Sequence, residues 1–406
     1  MPKIFQINIT ANWGSHGKIT EGIGKIAIAN GWESHIAFGR WYNHSESELY
    51  HIGNMTDERI HCISSRLFDN HGLMSAWPTI RLIKHIKQVN PDIIHLHNIH
   101  GYYLNYPILF KYLAESGKPV VWTLHDCWAY TGHCAHYMFA ACDKWKDHCQ
   151  HCPLLSNYPQ SILFDRSYKN FQQKKEAFLS IDNLTIVPVS KWLETEIKES
   201  FLKKKSIHQI YNGIDTDLFQ PVSHIDLVRK KYQISPNQKI VLGVASNWYR
   251  KGLSDFIQLR KKLPNDYTII LVGVKKKDQK NLPATIIGID RTENAQELIE
   301  IYSMSNVLFN PTWEDNFPTT NIEALSCGTP IVTYKTGGCP ESISEGTGYS
   351  VERGDIDDAA KFIEMICNKE KDDFSTVCRQ RAVQYFNATE RFQEYIDLYQ
   401  TLLGSI

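Results

Sequence analysis

The chain has 406 residues, of which 42% are apolar, 12% aromatic and 22% charged, a length typical of two or three domains. Lys plus Arg and Asp plus Glu number 44 each, which argues against a broad basic surface that grips nucleic acid. No apolar run approaches the ~18 residues of a membrane-spanning helix, and the N-terminus lacks the features of a signal peptide. We therefore expect a soluble intracellular protein.

The first half of the sequence alternates short apolar strands with amphipathic helices. Its predicted strands are Ile4–Ile9, Ile36–Phe38, Asp92–His95, Val120–Thr123, Thr185–Val189 and His208–Tyr211. Its predicted helices run from about Thr20 to Asn30 and over Ile80–Val89. The continuously apolar runs are typical of parallel strands that are covered on both faces.

A polar, proline-containing stretch near Asp217–Pro236 precedes a second series of the same kind. The strands predicted there are Lys239–Val244, Tyr267–Val272, Thr285–Ile287, Val307–Phe309 and Pro330–Thr333. The predicted helices are Leu253–Leu263, Asn294–Met304, Thr320–Ser326 and a closing pair within Ser375–Leu403. This alternation predicts an α/β fold of two Rossmann-like, doubly wound domains that face each other across a cleft. Ligands bind such sheets beyond the carboxyl ends of the strands.

Two segments in the first half carry residue types suited to chemistry at strand ends. Gly14-Ser15-His16-Gly17 follows the first strand, and its glycines let backbone amides approach an anion; a plain strand-to-helix turn is the alternative. His125-Asp126 follows the strand that begins at Val120. A neighbouring carboxylate can hold such a histidine in one tautomer and point it into a cleft, although many histidines are structural or merely exposed.

The third segment runs from Asp315 to Pro330 and places two acids, Asp315 and Glu323, eight residues apart. Thr319 or Thr320 is a plausible cap for the helix that starts between the acids. The free amides and positive dipole of a helix N-terminus suit a diphosphate, Glu323 could accept hydrogen bonds from a ribose, and Asp315 could do so from a sugar. The alternative is an ordinary capped helix with solvated acids.

This last segment resembles the E-x7-E region of retaining glycosyltransferases of the GT-B fold, in the large family 4 that builds capsular and O-antigen polysaccharides. Other stretches agree with that family in the same order: the Gly-rich first loop, Leu124-His125-Asp126, Val189-Ser190-Lys191-Trp192, Tyr211-Asn212-Gly213-Ile214-Asp215, Arg250-Lys251-Gly252 and Leu271-Val272-Gly273. The resemblance covers nearly the whole chain. It implies an acceptor-binding domain over 1–218, a nucleotide-sugar-binding domain over 219–387, and a helix at 388–406 that packs back on the first domain.

The resemblance also implies roles for individual residues. Lys251 would neutralise the donor diphosphate, Asp315 would contact the donor sugar, Glu323 the ribose, and His125 would lie near the transferred sugar as the fourth catalytic residue. Further donor contacts are expected from Gly14, Gly17, Ser246, Arg250, Gly273, Phe317 and the amides of Pro318, Thr319, Thr320 and Asn321. Acceptor contacts are expected from Ser15, His16, His97 and Asp126.

Two positions depart from the family pattern. Many members carry an arginine where this chain has Ser246, so Arg250 substitutes for it or the site relies on Lys251. The first acid is Asp315 rather than glutamate, with Glu314 adjacent, which leaves open which of the two reaches the sugar.

The reaction implied is transfer of a hexose from a UDP- or GDP-sugar to a saccharide or lipid-linked acceptor, with retention of anomeric configuration and no cofactor required. We expect it in the cytoplasm, with peripheral association at the inner face of the membrane. The lysine runs 203–205 and 275–277 read mainly as solvated faces, although they could help docking on anionic lipid. A nucleotide-sugar epimerase of the same fold is the nearest alternative, and a zinc-dependent nucleic-acid-binding protein is a second one that the zero net charge disfavours.

Half of the ten cysteines lie in one insertion at about 127–152. Cys134, Cys142, Cys149 and Cys152 end in a C-x-x-C pair and lie among several histidines. In a reducing compartment such clustered thiols more often hold metal than form disulfides. The spacing predicts a structural zinc with four thiolate ligands, and free thiols are the alternative.

Overall fold

The structure, a computed structural model, describes residues 1–404 and divides into two compact units. Unit 1 comprises Met1–Asn212 together with the chain from Thr389 onward, and unit 2 comprises Gly213–Ala388. The last two residues of the helix predicted at 388–406 lie outside the described residues. Within residues 1–404, no helix combines the length and apolar content that crossing a lipid bilayer requires.

Unit 1 is built on a parallel sheet. Its strands are β1 (Lys3–Asn8), β2 (Glu33–Phe38), β3 (Glu48–His51), β4 (Ile93–Leu96), β5 (Val120–Leu124), β6 (Leu184–Pro188) and β7 (Ser206–Ile207). Its helices are α1 (Gly14–Ala29), α2 (Met55–Phe68), α3 (Ala76–Val89), α4 (Tyr106–Ser116), α5 (Ser167–Leu179) and α6 (Lys191–Glu199). The strand order is β3-β2-β1-β4-β5-β6-β7, and each neighbouring pair is parallel.

Unit 2 repeats this arrangement. Its strands are β8 (Lys239–Val244), β9 (Tyr267–Val272), β10 (Ile286–Ile289), β11 (Val307–Asn310), β12 (Ile331–Tyr334) and β13 (Gly348–Val351). Its helices are α7 (Asp226–Lys231), α8 (Leu253–Lys262), α9 (Lys276–Gln279), α10 (Ala295–Met304), α11 (Thr319–Ser326), α12 (Ile356–Cys367) and α13 (Asp372–Phe386), and α14 (Ala388–Gly404) follows. The strands lie in the parallel order β10-β9-β8-β11-β12-β13.

Burial explains why the central strands could be predicted from the sequence. Every residue of β5 is buried, as expected where helices cover both faces of a parallel sheet. In unit 1 the last helix packs closely on the first, because a Cβ at Gly22 of α1 would lie 2.1 Å from the Phe392 ring of α14. The ring of Tyr399 on α14 also lies 5.8 Å from that of Trp32.

The predicted α/β fold with two Rossmann-like parallel sheets is confirmed, with local corrections. The first helix begins at Gly14 rather than near Thr20, so the glycine-rich segment is its first turn. The strand predicted over 208–211 is wrong: β7 ends at Ile207 and irregular chain follows. The polar stretch near 217–236 contains the short helix α7, whose six residues include only two large apolar side chains.

Candidate functional site

In each unit the candidate site lies where the strand order changes direction. In unit 1 this point is between β1 and β4, because β2 and β3 continue on one side of β1 and β4 to β7 on the other. Loops that follow two such strands leave the sheet in opposite directions and open a crevice. There the Asn98 side-chain amide, after β4, donates to His16 Nδ1 in the first turn of α1 at 3.0 Å.

A row of buried histidines continues from this point into the sheet. His125 Nε2 lies 3.3 Å from His97 Nδ1, and His97 Nε2 lies 3.1 Å from Gln6 Oε1. Gln6 uses its amide nitrogen to donate to the Thr20 carbonyl at 2.9 Å, so its oxygen is the acceptor. This network assigns the tautomers: His97 donates from Nε2 and accepts at Nδ1, and His125 donates from Nε2. Nδ1 of His125 is therefore its acceptor nitrogen.

Burial keeps this row uncharged. It lowers the pKa of His97 and of His125 well below the ordinary histidine range, and the neighbouring imidazoles add to the effect. The His16 ring lies 4.6 Å from that of His125. The structure thus brings together three of the predicted residues, His16, His97 and His125, and burial keeps His97 and His125 neutral.

The pairing of Asp126 with His125 that the sequence suggested is not formed, and the predicted acceptor contact of Asp126 stays a prediction. Asp126 Oδ2 pairs instead with His100 Nε2 at 2.7 Å, and Oδ1 accepts from the Trp128 backbone N–H at 2.9 Å. Burial opposes ionisation of this carboxyl, but His100, His136 and the Trp128 N–H together outweigh burial and lower the pKa of Asp126. Consecutive residues after a strand point in different directions, so His97, not Asp126, fixes the His125 tautomer. The sequence reading missed His100 and Asn98.

The glycines of the first turn have distinct structural reasons. Gly14 has a φ of +64°, which favours glycine, and opens α1. A Cβ at Gly17 would lie 2.7 Å from Thr10 Oγ1, so glycine permits close contact between the helix and the loop after β1. Ser15 is exposed on the same turn.

In unit 2 the corresponding point lies between β8 and β11. Lys251 lies in the loop after β8, Asp315 follows β11, and the Lys251 ammonium forms an ion pair with Asp315 Oδ2. Gly252 permits this approach, because its φ is +75° and a Cβ there would lie 2.4 Å from the Pro311 carbonyl oxygen. The predicted pair of catalytic residues is therefore adjacent in unit 2.

A buried carboxylate missed in the sequence supports this loop arrangement. Asp255 on α8 is 3% exposed. It accepts hydrogen bonds from the Tyr334 hydroxyl at 2.7 Å and from Trp313 Nε1 at 3.1 Å. Because Trp313 stands two residues before Asp315, these bonds tie the loop after β11 to the helix that follows Lys251.

Three further residues predicted to contact the donor, Arg250, Ser246 and Gly273, lie near the ends of β8 and β9. Arg250 Nη1 lies 4.0 Å from the buried Glu314 Oε2, so Asp315 rather than Glu314 is paired with Lys251. Ser246 is exposed just beyond the end of β8. Gly273, just after β9, has a φ of +92°, and a Cβ there would lie 1.7 Å from the Ala245 carbonyl oxygen. Only glycine fits that contact without a shift of the backbone.

The start of α11 differs from the prediction. Pro318 is the N-cap and forms no side-chain cap hydrogen bond, so neither Thr319 nor Thr320 is the cap residue. Proline has no N–H, and the Asn321 N–H already donates to the Pro318 carbonyl at 3.2 Å. Of the amides predicted for phosphate contact, those of Thr319 and Thr320 stay predictions.

Two residues predicted to contact the donor, Phe317 and Asn321, use their side chains for contacts inside unit 2. Phe317 is 4% exposed, and its ring lies 5.6 Å from that of Phe386. The Asn321 side chain accepts from Asn310 Nδ2 at 2.7 Å and donates to Ser342 Oγ at 2.9 Å. These contacts give both side chains a place in the core of unit 2.

Glu323 is held by a tyrosine that the sequence reading did not single out. The Tyr302 hydroxyl on α10 donates to Glu323 Oε2 at 2.9 Å. Burial, and the negative charge of Glu323, raise the pKa of Tyr302 well above its ordinary value, so the phenol stays a proton donor. Tyr302 thereby orients one carboxylate oxygen of Glu323.

The four cysteines predicted to hold zinc line one small cavity of about 20 Å³ in unit 1. The thiols of Cys134 and Cys152 hydrogen-bond to each other, which lowers the pKa of Cys152. The Gly132 N–H donates to Cys149 Sγ at 3.1 Å. Over residues 1–404, however, no three histidine, cysteine or acidic side chains converge closely enough to hold a metal ion. The zinc centre stays a prediction.

Comparison with known proteins agrees with this architecture. Residues 27–218 match the family model described as Glycosyltransferase Family 4, and residues 224–384 match Glycosyl transferases group 1. The chain belongs to the GT-B glycosyltransferases. This glycosyltransferase is 23% identical over 418 aligned positions to the putative colanic acid biosynthesis glycosyl transferase WcaC of Escherichia coli K12, covering 98% of this chain and 100% of that protein.

Solved structures show the same fold across the whole glycosyltransferase. Sucrose-phosphate synthase from Thermosynechococcus elongatus is 17% identical, with a TM-score of 0.73 and full coverage of both chains (100%). Anabaena HepE, crystallised with UDP and glucose, is 16% identical, with a TM-score of 0.66 over 98% of this chain and 100% of its own. Together with the two family matches, these findings identify a glycosyltransferase.

Proposed function

We propose that this enzyme moves a hexose, with retention of configuration, from a nucleotide-diphosphate sugar to a lipid-linked saccharide at the cytoplasmic face of a membrane. The observation that carries the proposal is the meeting of Lys251 and Asp315 where the strand order of unit 2 reverses. The similarity to WcaC supports a polysaccharide product, and the UDP and glucose in the HepE crystal support a nucleotide-sugar donor. Both family matches are to transferases, which does not favour the epimerase alternative.

The side chains of unit 2 suit the charges that develop in such a reaction. Breaking the bond between sugar and diphosphate leaves negative charge on the phosphate, which a lysine and helix N-terminal amides stabilise more in the transition state than in the ground state. Lys251 and the amides of Thr319 and Thr320 supply these groups. We assign the Tyr302-oriented carboxylate of Glu323 to hydrogen bonds from the ribose hydroxyls.

The histidine row of unit 1 suits the sugar rather than the phosphate. Burial keeps His97 and His125 neutral, so they offer a diphosphate no charge. The acceptor nitrogen of His125, Nδ1, is itself buried. We assign His125 to the transferred sugar from its place beside His16 where the strand order of unit 1 reverses, with Ser15 and His16 on the acceptor side.

Thermal protection by sugar nucleotides tests the donor assignment. A true donor at 100 times its dissociation constant adds about 2.7 kcal/mol to the free energy of unfolding. Lys251→Ala should abolish most of this protection and reduce transfer by orders of magnitude, whereas Lys261→Ala, an exposed lysine on α8, should leave both unchanged. Equal protection of the two variants would contradict the donor site. Product NMR that shows an inverted anomer would contradict retention alone.

We also propose that the thiols of Cys134, Cys142, Cys149 and Cys152 bind a structural zinc. They line one cavity, although within residues 1–404 no three of them converge closely enough to hold a metal ion as the side chains stand. The buried Lys174 ammonium, hydrogen-bonded to the Trp128 and Thr131 carbonyls, would offset the excess charge of four thiolates. Burial lowers the pKa of Lys174 to about 7, and the nearby cysteine thiolates act in the opposite direction. Zinc bound by four thiolates has no open position and serves folding.

Metal analysis of the purified chain tests this proposal. We expect about one zinc per chain, and loss of it in Cys149→Ala but not in Cys62→Ala, a cysteine of α2 outside the cavity lining. Zinc below ~0.1 per chain in the parent protein, or equal loss in both variants, would contradict the site.

A further inference from the structure

A group of exposed apolar side chains in unit 1 lies on α2, α3 and the segment Ile162-Leu163-Phe164. We call this surface the α2/α3 face. Its apolar members, each at least 45% exposed, are Met55, Ile60, Ile63, Phe68, Trp77, Ile80, Ile162, Leu163 and Phe164. Single exposed apolar residues are normal on protein surfaces, but a group of this size indicates a binding surface.

Contacts between the three segments make the α2/α3 face continuous. The rings of Phe68 and Phe164 stack with centroids 5.8 Å apart. The Ile162 N–H donates to the Arg66 carbonyl on α2 at 2.7 Å. At the other end of α2, Asp57 lies 4.0 Å from Arg81 of α3. The exposed side chains therefore belong to one surface rather than to separate loops.

The helical spacing shows that α2 presents an amphipathic face outward. Arg59, Ile63 and Arg66 recur every three or four residues and are exposed, whereas His61 and Ser65 on the other side of the helix are buried. Residues at this spacing share one face of a helix. On α2 the outward stripe is therefore apolar and basic together.

The charge on the α2/α3 face is mainly positive. Arg59, Arg66, Arg81 and Lys84 are exposed on its two helices, and Lys169 is exposed on α5, which follows Phe164. The acids of α2 are engaged within the fold: Asp57 takes part in the capping box of α2, and Glu58 pairs with Arg40 at 3.1 Å. Beside Phe164 an open cavity of about 450 Å³ is also lined by Arg166 and Lys169.

We propose that the α2/α3 face docks the enzyme on an anionic phospholipid bilayer. Exposed apolar side chains among basic ones are the pattern of surfaces that lie in the lipid headgroup region, and each basic residue near an anionic membrane contributes about 1 kcal/mol. Trp77, at 76% exposure, has the amphipathic ring that favours the membrane interface. The lysine run 203–205 is a weaker candidate, because no exposed large apolar residue lies between Tyr168 and Leu218.

Vesicle flotation of the full chain, without donor or acceptor, tests this proposal. We expect binding to vesicles of equal phosphatidylcholine and phosphatidylglycerol, and weak binding to phosphatidylcholine alone. Replacing Arg59 and Arg66 by Gln should weaken partitioning about 25-fold, about five-fold for each arginine. Ile63→Ser combined with Phe164→Ser should also weaken it. The matched control, Lys203→Gln with Lys204→Gln, should stay within about two-fold of the parent.

The proposal does not rest on the catalytic assignment, and the assays keep the two apart. Transfer to a water-soluble saccharide should be unchanged in the α2/α3 variants, because none of the substituted residues belongs to the proposed site. Absence of vesicle binding by the parent chain, or an equal loss in the Lys203 and Lys204 control, would overturn membrane docking. So would a parent chain that sediments as a dimer and becomes monomeric with Phe164→Ser, which would assign this face to a second copy.

Discussion

Acid should destabilise unit 1 because it buries neutral histidines. Burial lowers the pKa of each of these five side chains: His61, His71, His95, His97 and His125. For His61 the folded pKa is about 3, against about 6.5 in an unfolded chain. Protons therefore bind the unfolded state more readily, so this stability is present above about pH 6.5 and is lost as the pH falls toward about 3.

The size of the effect follows from the shift. Consider a histidine that stays neutral in the folded state but is protonated in the unfolded state. When the pH falls from about 7.5 to about 5.5, it lowers the free energy of unfolding by about 1.3 kcal/mol. The pKa values of the other four histidines shift in the same direction, so the loss for all five exceeds that for one and is large beside the marginal stability of a domain. Urea unfolding at the two pH values measures this loss directly.

A single substitution makes the test specific. His61 Nε2 accepts the Gly72 N–H at 3.0 Å, a bond that glutamine can replace, so His61→Gln should lose about 1.3 kcal/mol less than the parent chain between the two pH values. His44→Gln, at an exposed histidine, should lose as much as the parent. The reasoning is refuted if His61→Gln shows the parent's full pH dependence, or if the His61 ring titrates near pH 6.5 in an NMR experiment.

Two further predictions concern unit 2 and its supports. Tyr302→Phe removes the hydrogen bond to Glu323 and should weaken nucleotide diphosphate binding about ten-fold by calorimetry with little change in melting temperature; unchanged affinity would deny Tyr302 an orienting role. Gly273→Ala places a Cβ 1.7 Å from the Ala245 carbonyl and should cost ~3 kcal/mol of unfolding free energy or more. Gly117→Ala, with φ +64° and nothing within 4 Å, should cost only ~1 kcal/mol; equal costs would exclude the contact as the cause.

The sequence predicted the central strands because burial on both faces leaves a continuous apolar run. The edges lacked that signal: β3 and three of the four residues of β13 are only partly buried or exposed. Helix α2 was missed for a related reason, since Ile60 and Ile63 point outward and obscure the periodicity that normally marks a buried face.

For the site, the sequence predicted where along the chain the residues lie better than which side chains they pair with. His97, His125 and Lys251 follow strands or their loops, as ligand-binding residues of parallel sheets do. Pairings depend on side-chain direction, which spacing does not give. Asp126 is next to His125 in sequence and yet bonds His100, 26 residues away. Tyr302 donates a hydrogen bond to Glu323, which is 21 residues later in the sequence. The apolar pattern of its helix gives no sign of this pairing.

The ion pair between Lys251 and Asp315 leads to a last prediction about donor selectivity. A diphosphate that takes Lys251 leaves Asp315, only 18% exposed, without its cation, which is costly for a partly buried carboxylate. A sugar offers hydroxyl groups that offset this cost, and a bare nucleotide diphosphate does not. The parent chain should therefore prefer the intact sugar nucleotide, and Asp315→Asn should reduce that preference about ten-fold in calorimetry. If the ratio of the two dissociation constants is the same in both proteins, Asp315 does not contact the sugar.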